Sequence, residues 1–220
     1  MVYMTNQSVQ TLKKKAKKIF TLLDNHYPKE IIFLDFKNPF QTLILVILSA
    51  QTTDRQVNTI SGELFSRYPD AEALSKANVN EVEDIIRPVG FFKTKAKNIV
   101  ATAGILVNQY GSKVPDSIEE LVKLPGCGRK SANVVVGHCY NQPAVIVDTH
   151  FGRVTYRLGL TMSKDPAVVE TDIRALVEPK NQYRFSMSVN LHGREICHAR
   201  TPKCSECLLA GICAYSLGNS

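Results

Sequence analysis

Apolar residues recur along this chain every three or four positions and almost nowhere in single alternation, which is the periodicity of helix and not of strand. Near the start Val9, Leu12, Ala16, Ile19, Leu23 and Tyr27 share one helical face, leaving the lysines between Lys13 and Lys18 on the solvated side. Phe40 to Ala50 is almost wholly apolar and predicts a buried central helix, opened by Asn38 and by Pro39 at the first helical position. Asp54 is expected to cap the next helix, with Val57, Ile60, Leu64 and Phe65 turned inward, and Asp70 and Asn80 to cap two short ones. Thr94 to Tyr110 predicts a longer helix stopped by Gly111. Asp165 and Pro166 open another, and Tyr183 to Cys197 predicts one more. Connections are short, and no repeat, low-complexity tract or long linker interrupts them. The fold class is all-α.

The stretch from about 116 to 140 is more specific. Asp116 can cap a helix, with Glu119 three residues on as the reciprocal acceptor. Pro125, Gly126 and Gly128 follow, then a second apolar face at Ala132, Val135 and Val136. The reading is helix, tight glycine hairpin, helix. Glycines let the main chain turn sharply and approach a ligand closely. The N–H groups at the start of the second helix then favour an anion. Arg129 and Lys130 stand at that start, where the helix dipole disfavours cations, so they point to a partner such as a phosphate. An unperturbed lysine is a poor nucleophile at neutral pH; partial desolvation beside Arg129 would leave more free amine on Lys130. Eighteen residues after Lys130, a short apolar run leads into Asp148, an N-cap position that would also hold a carboxylate in place.

Composition narrows the class of partner. The chain has 220 residues with 44% apolar content, enough for one large or two small domains with a sizeable core. Its net charge of +7 favours a polyanion such as nucleic acid. No apolar run reaches the roughly 18 residues a membrane span needs, and the first twenty residues lack a signal-peptide core. A cytoplasmic protein is expected, without membrane contact. Four of the six cysteines, Cys197, Cys204, Cys207 and Cys213, cluster in the spacing C-x6-C-x2-C-x5-C. In that compartment bound metal is favoured over disulfides, and four thiolates suit zinc or an iron–sulfur cluster.

At these residues the sequence resembles the endonuclease III family of helix-hairpin-helix DNA glycosylases. The family patterns LPGxGRKTA and VDTHxxRV stand here as LPGCGRKSA and VDTHFGRV, and LSAQTTD, GFFKTKAKN, LHGREIC and the four-cysteine tail follow the family in order. The resemblance implies two helical lobes with a DNA cleft between them. One is a six-helix lobe over 32–142; the other combines 1–31 with 143–220 and carries the cysteines of 197–213. It implies a [4Fe–4S] cluster whose role is architectural, shaping the loop from His198 to Lys203 so that Arg200 and Lys203 meet DNA phosphates. It implies that Lys130 attacks the sugar C1′ of a damaged nucleotide and that Asp148 stabilises the charge that develops there. Related enzymes without the lysine keep the aspartate and use water, removing the base without cutting the strand. Gln51 would enter the gap left by a flipped base, and Phe91, more than Phe92, would be an apolar wedge where the family has Leu. Gly126, Gly128, Arg129 and Arg153 complete the expected DNA contacts.

The expected function is therefore a glycosylase with lyase activity acting on damaged pyrimidines in double-stranded DNA, as a monomer, in the cytoplasm, and associated with the nucleoid if the source is prokaryotic. Two alternatives stand beside it. One is a glycosylase of the same superfamily for another lesion: a pyrimidine dimer, a mismatched adenine or an alkylpurine. The other is a non-catalytic helix-hairpin-helix module, which needs neither Lys130 nor Asp148.

Overall fold

The structure is a computed structural model and describes residues 6–218. The first apolar stripe becomes helix α1 (Asn6–His26), with Ala16, Ile19, Leu23 and Tyr27 buried. The apolar run becomes α2 (Pro39–Leu48), capped by Asn38 and buried from Thr42 to Leu48. There follow α3 (Asp54–Arg67), α4 (Ala71–Ser75), α5 (Val79–Ile85), α6 (Phe92–Tyr110), α7 (Ile118–Leu121) and α8 (Arg129–Tyr140). The chain ends with α9 (Thr149–Leu158), α10 (Pro166–Leu176), α11 (Gln182–Glu195) and α12 (Ala214–Gly218), with short 3-10 turns between the last elements. No strand occurs among the described residues.

Three expected caps are displaced, each by one or two residues. Thr53, and not Asp54, caps α3 by accepting from the Gln56 N–H; Asp54 is the first helical residue, where its charge still complements the dipole. Asn78, and not Asn80, caps α5, and the main-chain N–H of Asn80 is the group it receives. Ser117, and not Asp116, caps α7 by accepting from Glu120. In each case a neighbouring polar residue has the side-chain length and main-chain position to reach an unpaired N–H, and sequence preference alone does not separate such neighbours. Asp70, Asp148 and Asp165 cap as expected, and Gly111 ends α6 in the left-handed conformation.

The chain divides into two compact units. Residues 32–141 form one, and the chain up to Ile31 together with the chain from Gln142 forms the other, so Gln142 falls with the second unit and not with the first. The unit of 32–141 contains seven helical segments, α2 to α8, where six were expected; α4 and α7 are short, of five and four residues. Helix α2 runs through it and packs against α3, α6 and α8. In the other unit α11 packs against α1 and α9. Its core includes Ile19, Leu23, Phe151, Ile173, Phe185 and Val189, with the Phe151 and Phe185 rings edge to face at 6.1 Å. Asp24 on α1 accepts from Arg184 on α11 at 2.8 Å, and the Tyr27 hydroxyl meets Nδ1 of His192 at 3.0 Å.

Candidate active site

The hairpin is made by α7, a tight turn and α8. The Cys127 N–H donates to the Leu124 carbonyl, and the Thr102 hydroxyl of α6 donates to the Pro125 carbonyl at 3.1 Å. Gly126 has φ 78°, and a Cβ there would lie 2.8 Å from Nδ2 of Asn98 and 2.9 Å from Cγ2 of Ile47, so this turn requires glycine. Gly128 is different: its φ is −80°, and a Cβ would meet nothing within 4 Å. The expectation that both glycines serve the turn is corrected for Gly128, which leaves bare main chain at the exposed start of α8. Gly128, as the N-cap residue, supplies no side-chain cap. Its first two residues are Arg129 and Lys130, both exposed. Lys130 is thus not buried by the protein around it, and burial does not supply the desolvation expected of it. Cys127 is buried, and burial pushes its thiol up to about 12, which leaves it a packing residue.

Lys130 belongs to the unit of 32–141 and Asp148 to the unit formed by the chain ends. Asp148 caps α9, its Oδ1 accepting from the Phe151 N–H at 2.7 Å. Its Oδ2 accepts from the side-chain amide of Asn190, which is buried on α11 and in turn accepts at Oδ1 from Nε of Arg194 at 2.7 Å. Asn190 and Arg194 escaped sequence reasoning. They lie more than forty residues from Asp148, and no local pattern marks them.

Gln51 and Phe91 both occupy turns and both are left-handed, with φ 53° and 58°. Phe91 is 67% exposed, whereas Phe92 is half-buried with the Arg87 guanidinium 5.7 Å from its ring centre. Exposure thus separates the two phenylalanines.

The four clustered cysteines line one pocket together with His192, Leu209 and Tyr215. Four thiols spread round a cavity fit a cluster of several iron atoms. Two arginines of α9 brace the start of this loop. Arg157 donates to Sγ of Cys197 at 3.2 Å and to the carbonyls of His198 and Ala199 at 2.7 and 2.8 Å, and its guanidinium lies 4.7 Å from the Tyr215 ring centre. Arg153 donates to the carbonyls of Cys197 and Gly193 at 3.0 and 2.7 Å and meets His150 at 3.2 Å. Arg153, expected to meet DNA, is half-buried, and its Nε and one terminal nitrogen are engaged by these protein groups. Arg157 was not foreseen, since its partners lie about forty residues away. Arg200 and Lys203 are exposed on the loop.

Comparison with known proteins agrees with this geometry. Residues 44–179 match the HhH-GPD superfamily of base excision DNA repair proteins, and residues 197–213 match the iron–sulfur binding domain of endonuclease III. The endonuclease III of Synechocystis sp. is 44% identical over 202 residues, covering 91% of this chain and 92% of that protein. Among solved structures, the protein of a non-covalent endonuclease III–DNA complex superposes with a TM-score of 0.88 at 33% identity, covering 94% of this chain and 97% of that one. The protein of a trapped endonuclease III–DNA covalent intermediate, in an estranged-adenine complex, gives the same TM-score and identity over 94% and 98%. The chain belongs to the endonuclease III family, helix-hairpin-helix DNA glycosylases of base-excision repair with a [4Fe–4S] cluster as cofactor.

Proposed function

We propose that the protein is a bifunctional glycosylase and abasic-site lyase that removes damaged pyrimidines from duplex DNA through a covalent intermediate on Lys130. The observation that carries the proposal is an exposed lysine at the second position of α8, directly after the Gly126–Gly128 turn. A relative of the same fold captured in a covalent intermediate with DNA supports it.

In this reading the lone pair of Lys130 Nζ forms a bond to C1′ as the glycosidic bond breaks. The base leaves with that bond's electron pair and takes up a proton. Ring opening gives a protonated imine between Nζ and C1′, which acidifies C2′. Loss of a C2′ proton expels the 3′ phosphate by β-elimination, and water then hydrolyses the imine and frees the lysine. The Asp148 carboxylate, fixed by its cap and by Asn190, stabilises positive charge at C1′.

Gln51 would fill the space of the flipped nucleotide and hydrogen-bond the estranged base. Phe91, exposed on its left-handed turn, would wedge into the stack and offset part of the unstacking cost. Bare main chain at Gly126 and Gly128, with Arg129, Arg200 and Lys203, would hold phosphates. Cys197, Cys204, Cys207 and Cys213 would hold the cluster, which contributes architecture to the loop carrying Arg200 and Lys203. The protein would act as a monomer on damaged DNA in the cytoplasm.

The test is incubation with duplexes that each carry one lesion, followed by separate readout of base release and strand cleavage. Release with cleavage 3′ to an oxidised pyrimidine is expected. Release without cleavage would remove the lyase step, and no release from any pyrimidine lesion would overturn the substrate class.

A further inference from the structure

Lys95 is a buried lysine, 5% exposed, on the inner face of α6. Its ammonium donates to the Leu48 carbonyl at 2.8 Å and to the Thr52 hydroxyl at 2.8 Å. Burying an ammonium without a carboxylate partner is costly, and a leucine or methionine would fill the same space without that cost. Burial lowers the Lys95 pKa, the direction expected of a charge short of solvation. A buried group of this kind invites the question of what it holds.

It holds the turn that carries Gln51. Leu48 is the last residue of α2, so its carbonyl lies at the negative end of the helix, where an ammonium is favoured. Thr52 follows Gln51, whose φ of 53° is a conformation that non-glycine residues adopt at a cost. The two Lys95 bonds clamp this turn on both sides. Lys95 also stands in the first turn of α6, where its N–H makes the ordinary helical bond to the carbonyl of the N-cap Phe91, the other left-handed residue in the region. The two turns stand side by side: a Cβ on Gly90 would lie 3.5 Å from the Thr52 hydroxyl and 3.6 Å from the Gln51 carbonyl. Farther along the same face of α6, Asn98 packs against Gly126 and Thr102 bonds to Pro125. One helix face therefore registers the Gln51 turn, the Phe91 turn and the hairpin.

We propose that Lys95 is a positioning residue for base flipping: its ammonium sets the Gln51 turn against the Phe91 turn so that both enter the duplex in register. The proposal rests on the reading of Gln51 and Phe91 given above.

The test compares Lys95→Met, which keeps length and removes the donor, with Thr52→Val, Gln51→Ala and the double variant Lys95→Met/Gln51→Ala. Thr52→Val, at a half-buried position, removes one of the two acceptors and keeps the lysine, and it carries the test should Lys95→Met fail to fold. Binding is measured to a duplex with a tetrahydrofuran abasic analogue opposite a base, to the same analogue opposite a gap, and to undamaged duplex. Lys95→Met and Gln51→Ala should each weaken the first complex about tenfold relative to undamaged DNA, the scale of one lost buried hydrogen bond. Thr52→Val should do so about threefold, as loss of one of the two bonds. The double variant should be little worse than either single one, as residues acting through one another are not additive. Opposite a gap, where Gln51 has no base to meet, each penalty should shrink below about twofold.

If Gln51→Ala weakens the complex while Lys95→Met and Thr52→Val bind as wild type, the Lys95 proposal is overturned and the Gln51 reading stands. If Gln51→Ala is silent, both are overturned. If Lys95→Met loses affinity equally opposite a base and opposite a gap, the lysine acts on the fold at large and the positioning role is overturned.

Discussion

Asn190 donates to the carboxylate oxygen of Asp148 that does not serve the helix cap. One oxygen of Asp148 is thus held by the start of α9 and the other by α11, while Arg194 fixes the orientation of the Asn190 amide. The carboxylate is held in one orientation before any substrate arrives, which is the condition for stabilising a transient charge without reorganisation.

Removing either the charge or its support should give different results. Asp148→Asn keeps an effective cap, so thermal unfolding should stay within a few degrees of wild type while single-turnover base excision falls by about a hundredfold or more. Asn190→Ala keeps the charge and frees its orientation, and should cost about tenfold to a hundredfold in the same rate with little change in DNA affinity. An Asn190→Ala rate within twofold of wild type would show that the orientation is set elsewhere.

The two hairpin glycines should separate in the same way. Gly126→Ala forces a methyl group against Asn98 and Ile47 at positive φ and should destabilise the protein by about 1–3 kcal/mol in denaturant unfolding. Gly128→Ala meets nothing in the protein and should change stability by less than about 0.5 kcal/mol. If its main chain lies against a phosphate, Gly128→Ala should nevertheless weaken DNA binding. A Gly128→Ala variant with wild-type affinity would place the phosphate elsewhere.

Salt dependence distinguishes the arginines and lysines. Lys203→Ala should reduce the slope of log affinity against log salt by about 0.9, one released counterion per lost contact. Arg153→Gln should leave the slope unchanged and lower the melting temperature, since Arg153 is bonded to the carbonyls of Cys197 and Gly193. A slope change for Arg153→Gln with none for Lys203→Ala would reverse these assignments.

What was legible in the sequence and what was not divides along the distance between partners. The α2 cap at Asn38, the Asp148 cap, the end of α6 at Gly111 and the four-cysteine tail each depend on residues a few positions apart, where side-chain chemistry and periodicity speak directly. The caps of α3, α5 and α7 fall one or two residues from the expected positions because Thr53–Asp54, Asn78–Asn80 and Asp116–Ser117 each offer two polar side chains within two positions. The choice between Arg153 and a phosphate, the bracing of the cysteine loop by Arg157, and the Asp148–Asn190 and Lys95–Leu48 bonds all join residues forty or more positions apart. No local pattern encodes such pairs. Gln51 and Phe91 are intermediate: resemblance picked them out, and their left-handed φ angles become visible only in the folded chain.

The cysteine loop should depend on Arg157 for its endurance. Arg157→Leu removes a donor from the Cys197 sulfur and from two carbonyls of the loop. Protein prepared without oxygen should still contain iron and absorb in the visible, but should bleach several-fold faster in air than wild type, since hydrogen bonds and burial around the sulfurs govern such sites. Equal bleaching rates would show that the bracing does not protect the site, and zinc in place of iron would overturn the cofactor.

The covalent role of Lys130 has the most direct test. Wild type and Lys130→Gln are incubated with abasic duplex in the presence of borohydride, and the product is resolved by size and mapped by peptide mass. Wild type should give a stable protein–DNA adduct carried by Lys130, and Lys130→Gln should give none while still binding an uncleavable abasic duplex. An adduct mapped to another residue, or a Lys130→Gln variant that is trapped and cleaves like wild type, would contradict the account.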